Sequence, residues 1–306
     1  MSPSALALPT SPLRVAAAQA EAVPGDVAGN ARRAAALTAR AAERGARVIV
    51  FPELHLCGYD LALLAAVPDR CEVPADARGR VTDARLDPLA EAAADHAVTV
   101  LTGAAVRRYD GTRTNSVVAF GTEAETKAET KNTASASASA TVAYDKQHLW
   151  HADERGLFTP GERGSRAARG TQGSRASVLS VGGWRLGLGI CYDMSFPEHG
   201  RAAALAGAHV YVCPSAFAAG NEHRAAVYLA ARALENTVYA LFANPVGGPP
   251  HRPCAGGTAL HGPDGRTVGR AETTREELLL VDLDPGDIAE VRGFLHMLEE
   301  CRTDGS

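Results

Sequence analysis

A chain of 306 residues, 46% hydrophobic and carrying a net charge of −4, has room for two domains or for one large α/β unit. Its acidic and basic residues are interspersed, which leaves no electrostatic footprint for nucleic acid or an anionic membrane, and no apolar run approaches the roughly 18 residues of a membrane span. The six cysteines (Cys57, Cys71, Cys191, Cys213, Cys254 and Cys301) lack C-x-x-C spacing, and no H-E-x-x-H, phosphate loop or G-x-S-x-G elbow is present; this predicts a reducing, cytoplasmic setting and no zinc site.

Residues 1–13 have no basic segment ahead of a sustained apolar core, so they read as a loose tail and not as a signal peptide. Short β-rich runs then alternate with Ala-rich helical patterns: RVAAAQA, a helix from about Asn30 to Arg44, and RVIVF, followed by VTVLTGAAV, TNSVVAF and TVAYDK. That alternation predicts an α/β architecture. Residues 121–140 (GTEAETKAETKNTASASASA) carry almost no large apolar side chain and read as a low-complexity excursion between two strands, while residues 162–176 read as a surface loop. Next come SVLSV and WRLGLGI, joined by Gly182-Gly183, a two-residue hairpin signal. Cys191 ends the second of these strands. Ser195 and Glu198 then form an S-x-x-E capping box with Pro197 between them, predicting a helix about one turn after the cysteine.

The chain also echoes itself. GARVIVFPEL (45–54) and GAHVYVCPSA (207–216) share G-A-x-V-x-V-x-P, and each follows an Ala-rich helix that itself follows a strand. Two similar β-α-β halves are implied. Packed sheet against sheet with helices outside, they make a four-layer αββα sandwich.

Three strands deliver a chemically loaded residue at their ends: Glu53, Lys146 and Cys191. Each alone reads as readily as an ordinary surface or buried side chain. Together they supply the base, cation and nucleophile that acyl transfer through a thioester requires. A strand-to-helix turn favours thiolate at Cys191, whereas Cys213, inside an apolar run, is expected to keep its proton.

FPELHLCGYD around Glu53, YDKQHLW around Lys146 with Glu154 eight residues on, and CYDMSFPEHGR around Cys191 resemble the three signature blocks of the nitrilase, or carbon–nitrogen hydrolase, superfamily. ARALENTVYALFAN, CAGGTALHGPDG and EELLLVDLD resemble its later blocks, so the likeness runs from about Arg14 to the C-terminal segment as a single hydrolase domain. The resemblance implies the αββα sandwich, a homodimer formed through helices, no cofactor or metal, and hydrolysis of non-peptide C–N bonds. It also implies roles: Glu53 as general base, Lys146 as oxyanion-stabilising cation, Cys191 as nucleophile, Glu154 as supporting carboxylate and the backbone N–H of Tyr192 as an oxyanion donor. His55 and Cys57 depart from the pattern of many relatives. His55 and Tyr59 are candidates for the substrate pocket, and Arg113 and Arg224 for anchoring a substrate carboxylate. The implied substrate is a small amide, with carbamoyl amides and nitriles as alternatives; outside the enzymes, a silent interaction module on the same scaffold is the competing reading.

Overall fold

The structure, a computed structural model, describes residues 7–121, 140–161, 177–249 and 252–303. In chain order its strands are β1 (Leu13–Gln19), β2 (Val48–Val50), β3 (Glu72–Pro74), β4 (Arg80–Val81), β5 (Thr99–Arg107), β6 (Arg113–Phe120), β7 (Ala140–Asp145), β8 (Val178–Val181), β9 (Trp184–Leu188), β10 (Val210–Pro214), β11 (Tyr239–Ala243), β12 (Ala259–His261), β13 (Thr267–Arg270) and β14 (Glu277–Leu283). The four main helices are α1 (Val27–Glu43), α2 (Asp87–Asp95), α3 (Pro197–Leu205) and α4 (Glu222–Asn236).

One sheet runs β14-β1-β2-β5-β6-β7-β4, with β3 also on β5, and the second runs β13-β12-β11-β10-β9-β8. Their facing sides pack into one apolar core: Val15, Val50, Leu101 and Val117 of the first sheet meet Leu186, Leu188, Val212 and Leu241 of the second. A second core lies between the first sheet and α1, through Ala31, Ala34, Ile49 and Phe51. A third lies between the second sheet and helices α3 and α4, through Ala203, Tyr211, Leu229 and Ala233. Helix, sheet, sheet, helix is therefore the layer order. Continuous burial of β2, β10, β11 and all of β5 but its terminal Arg107 follows from being covered on both faces.

The internal echo is structural. After α1 and after α3 the chain turns through Gly45 (φ 85°) and Gly207 (φ 91°), left-handed positions that glycine adopts without strain. Ala46 N–H then bonds Ala41 O at 3.0 Å, as Ala208 N–H bonds Ala203 O at 3.0 Å; Arg47 N–H bonds Arg14 O at 3.0 Å, as His209 N–H bonds Arg185 O at 2.8 Å. β2 lies parallel between β1 and β5, and β10 lies parallel between β9 and β11. The Gly182-Gly183 hairpin joins β8 to β9 with both glycines at positive φ.

Two readings are corrected. Helix α3 is capped by Phe196 without a side-chain hydrogen bond and has no Ser195–Glu198 box. Proline at 197 disfavours helical geometry in the residue before it, so Phe196 is extended and the helix starts at Pro197. Ser195 instead closes a 3₁₀ turn, Cys191–Ser195. Of the presumed tail, residues 7–12 are tied down: Ala7 O and His209 Nε2 are 3.0 Å apart, Leu8 packs on the inter-sheet core, and Trp184 Nε1–H donates to Ser11 O at 2.9 Å. The low-complexity excursion and the 162–176 loop fall almost wholly outside the described residues; the strands flanking the excursion are antiparallel neighbours, with Phe120 opposite Ala140.

Candidate active site

The carboxyl ends of β2, β7, β9 and β10 converge at one end of the sandwich. Glu53 N–H bonds Ser215 O at 3.2 Å, so the loop after β2 and its counterpart after β10 touch across the two sheets. The Glu53 loop is pressed onto β5. A Cβ on Gly103 would sit 2.2 Å from Leu54 N and 2.5 Å from Pro52 O, and Leu54 itself takes a left-handed φ of 51°. Cys191 is also left-handed, with φ 45°, at the first position of its 3₁₀ turn. Such strain in non-glycine residues collects where the surrounding structure over-determines geometry for a purpose.

Lys146 lies at the centre, fully buried. Its Nζ donates to Glu53 Oε1 at 2.6 Å and to Glu154 Oε1 at 2.9 Å, and lies 2.8 Å from Glu154 Oε2. Glu154 also accepts from Tyr59 O–H at 2.7 Å and from Trp150 N–H at 2.7 Å. Glu53 Oε1 takes a second bond, 2.8 Å, from Asn115 Nδ2. Glu53 Oε2, equally buried, has no hydrogen-bond partner among the described residues.

Burial drives the Glu53 carboxyl up to about 7, with Glu154 adding to the rise and the Lys146 charge opposing it. For Lys146 burial acts downward, but the surrounding carboxylates of Glu53 and Glu154 outweigh it and raise its pKa, so it is a firm ammonium. The Cys191 thiol is pushed well above its usual range by desolvation and by the Glu53 charge, against the opposing pull of Lys146 and a backbone hydrogen bond from Ala216. This corrects the thiolate expectation: desolvation exceeds what the turn and the ammonium supply, and Cys191, like Cys213, rests protonated. A buried carboxylate near neutrality with one open oxygen can take that proton, and an adjacent ammonium can hold an oxyanion.

A second buried network anchors the Cys191 turn. Asp193 accepts from Ile190 N–H (3.0 Å), Tyr144 O–H (2.7 Å) and His148 N–H (2.9 Å), with His148 Nδ1 at 2.8 Å. Tyr144 O–H and His199 Nε2 are 2.8 Å apart, and His199 Nδ1 lies 2.9 Å from Tyr211 O–H. Tyr144 and His148 flank Lys146 in sequence, so the network fixes the cysteine turn relative to the lysine strand. Burial raises Asp193, but the charge of His199 and these hydrogen bonds outweigh it and hold the carboxylate at about 2.

The remaining candidates separate. Tyr59 joins the cluster through Glu154, and the Tyr192 ring meets Trp150 edge-on at 4.9 Å. His55 is turned elsewhere, stacked on Phe51 at 4.9 Å on the α1 side of the sheet, where burial and the Arg33 charge lower its pKa to about 3. Arg113 is committed to Glu72 and to Leu157 O. Asn115 was not singled out from the sequence, although TNS is a polar interruption in an otherwise apolar strand. Among the described residues no cluster of His, Cys, Asp or Glu could hold a metal ion, and no helix is long and apolar enough to cross a membrane.

The family described as Carbon-nitrogen hydrolase matches residues 14–293. The chain belongs to that family. It is 29% identical over 290 residues to "Hydrolase in pqqF 5'region" of Pseudomonas protegens (95% of this chain, 89% of the relative). It is 27% identical over 278 residues to mouse "Omega-amidase NIT2", covering 90% of each. Among solved structures, a mutant of the amidase from Nesterenkonia sp. AN1, described as showing covalent addition of the acetamide moiety of fluoroacetamide at the active site cysteine, superposes with a TM-score of 0.70 at 28% identity, over 94% of this chain and 99% of that one. With amidases among both kinds of relative, the protein is an amidase-type carbon–nitrogen hydrolase of the nitrilase superfamily.

Proposed function

We propose that the protein releases ammonia from a small carboxamide through a thioester on Cys191. Glu53 takes the thiol proton through its open oxygen as the sulfur attacks the amide carbon, and Lys146 with the Tyr192 backbone N–H holds the oxyanion. Collapse of the adduct passes the proton from Glu53 to the leaving nitrogen, and ammonia departs. Glu53 then deprotonates water, which cleaves the thioester; the carboxylic acid leaves and the thiol regains its proton. Glu154 keeps the ammonium in position.

The observation that carries this reading is the asymmetry of Glu53. One oxygen is saturated by Lys146 and Asn115, the other is buried and open, and the pKa of about 7 suits a group that must accept and return one proton. The proposal extends to a homo-oligomer in a reducing cytoplasm, a setting supported by six free cysteines. Ammonia release from a panel of carboxamides, carbamoyl amino acids and nitriles tests it, with carboxamides expected to turn over fastest. Turnover of nitriles or carbamoyl compounds alone would replace this reading. A folded protein inert to the panel and to electrophilic amide mimics would point to a silent interaction module.

A further inference from the structure

The proposed chemistry makes no use of His199, a buried side chain in the first turn of α3. Its ring lies between two hydroxyls from different strands: Nε2 is 2.8 Å from the oxygen of Tyr144 at the end of β7, and Nδ1 is 2.9 Å from that of Tyr211 in β10. The direction of these bonds is fixed from Asp193. Held as a carboxylate, Asp193 can only accept, and it takes Tyr144 O–H and Ile190 N–H on Oδ2 and the backbone and ring N–H of His148 on Oδ1. The single proton of Tyr144 is thus committed to Asp193, so the Tyr144 oxygen can only accept from His199, and Nε2 must carry a hydrogen. Burial, with the nearby His148, lowers the His199 pKa against the pull of Asp193; the ring is uncharged at neutral pH and gains its charge only toward the acid range in which Asp193 titrates. Nδ1 is then left to accept from Tyr211 O–H. The bonds run one way, from Tyr211 to His199 to Tyr144 to Asp193.

Both ends of this set grip the Cys191 turn. At one end Asp193 takes the N–H of Ile190, the residue before the cysteine, at 3.0 Å. At the other end the Tyr211 hydroxyl and the His199 ring press on Gly189: a Cβ there would collide with the Tyr211 oxygen and sit 3.1 Å from His199 Cε1. Cys191 itself is left-handed, with φ 45°, a conformation that a non-glycine residue keeps only where its surroundings over-determine it. We propose that His199 is a positioning residue for the nucleophile: through its Nε2–H it locks Tyr144 onto Asp193 and so holds the strained turn that presents the Cys191 sulfur to the amide carbon. This rests on the thioester reading above and deepens it, adding a residue that governs the attack and not the binding of substrate.

Gln and Asn separate the two ring nitrogens, because the amide of Gln reaches the place of Nε2 and that of Asn the place of Nδ1. His199→Gln therefore keeps a donor for Tyr144, whereas His199→Asn keeps only a partner for Tyr211. The measurement is the rate constant for appearance of the acyl group on Cys191 with a slowly turned-over amide, followed by rapid quenching and mass spectrometry. His199→Asn is expected to lower it roughly 10- to 100-fold, the scale of a small misplacement of a reacting group, with KM little changed. His199→Gln should retain most of the parental value. A merely structural residue would instead reduce the fraction of protein that acylates and leave the rate constant alone; that result, or equal rate constants in the two variants, would overturn the role. Should His199→Asn fail to fold, nitrogen NMR of the intact histidine-labelled protein at neutral pH decides, with the His199 signals identified by their shift in Tyr211→Phe: a protonated Nε2 with a bare Nδ1 supports the proposal, and a protonated Nδ1 overturns it. No acyl group on Cys191 of the parent would overturn the thioester reading, and this role with it, whichever tautomer is found.

Discussion

Lys146→Met keeps most of the side-chain volume and removes the charge that two buried carboxylates share. Both Glu53 and Glu154 are fully buried at distances of 2.6 and 2.8 Å from Nζ. Breaking a buried pair by deleting one partner costs about 3–5 kcal/mol, because the other charge stays behind. The loss is capped by protonation. With the ammonium gone, burial and Glu154 continue to raise the Glu53 carboxyl while its main opposing influence is lost, so its pKa moves above the present value of about 7. The folded variant then holds a proton that the unfolded chain releases, and its stability falls as pH rises toward that new pKa, by up to ~1.36 kcal/mol per pH unit. Urea unfolding at pH 6 and pH 8.5 should show a wider gap from the parent at the higher pH. Catalysis suffers separately: losing one oxyanion donor lowers kcat by about 10²–10³-fold, and a protonated Glu53 adds to this. Ammonia-release kinetics across pH measure both effects. A variant with parental kcat and only a raised KM would make Lys146 a substrate anchor and refute the oxyanion role; equal destabilisation at both pH values would refute the shared-charge argument.

Other outcomes follow from the same geometry. In the parent enzyme kcat/KM should drop as pH falls through about 7, since Glu53 must be ionised to take the thiol proton, and should hold a plateau on the alkaline side because Cys191 and Lys146 are both raised; an acid limb near the ordinary carboxylate value would contradict this. Asp193→Asn should cost about 2 kcal/mol near neutrality: a carboxylate held at about 2 contributes stability that is present above its unfolded pKa and lost as pH falls through the folded one. Its deficit against the parent, read by denaturant titration, should shrink in strong acid; a pH-independent deficit would mean that Asp193 acts by shape alone. Gly103→Ala places a Cβ within 2.7 Å of three backbone atoms of the Glu53 loop, so a loss of more than about 1–3 kcal/mol and of most turnover is expected; a stable, active variant would show that the loop does not need that contact.

Much of this was legible because it is written locally. The strand and helix periods, the paired glycines of the hairpin and the repeated G-A-x-V-x-V-x-P placed the β-α-β halves, and three loaded strand ends marked the cluster. What escaped depended on contacts between distant segments. Ser195 reads as a cap until Pro197 forces the residue between them to be extended. The thiolate expectation weighed the turn and the cation at Cys191, but the desolvation that wins there comes from both sheets closing around it. His55, two residues from Glu53, shares its strand parity, yet the left-handed turn at Leu54 breaks the alternation and sends its ring toward Phe51. Arg113 and Arg224 look alike in sequence; only the fold pairs the first with Glu72, from another strand, and stacks the second on Trp150 and Phe217. Asn115 acquires meaning only from the Glu53 carboxylate that the fold brings to it.

The central claim, a thioester on Cys191 formed and resolved by one carboxylate, is tested most directly by trapping it. The intact protein is mixed with a slowly turned-over amide, quenched in acid and digested, and the peptides are weighed. The account predicts a mass increase equal to the acyl group on the peptide that carries Cys191, its absence in Cys191→Ala, and slower rise and slower decay of the adduct in Glu53→Gln, because that carboxylate serves both steps. Full amide hydrolysis by folded Cys191→Ala, or an acyl group found on another cysteine with Cys191 unmodified, would contradict it.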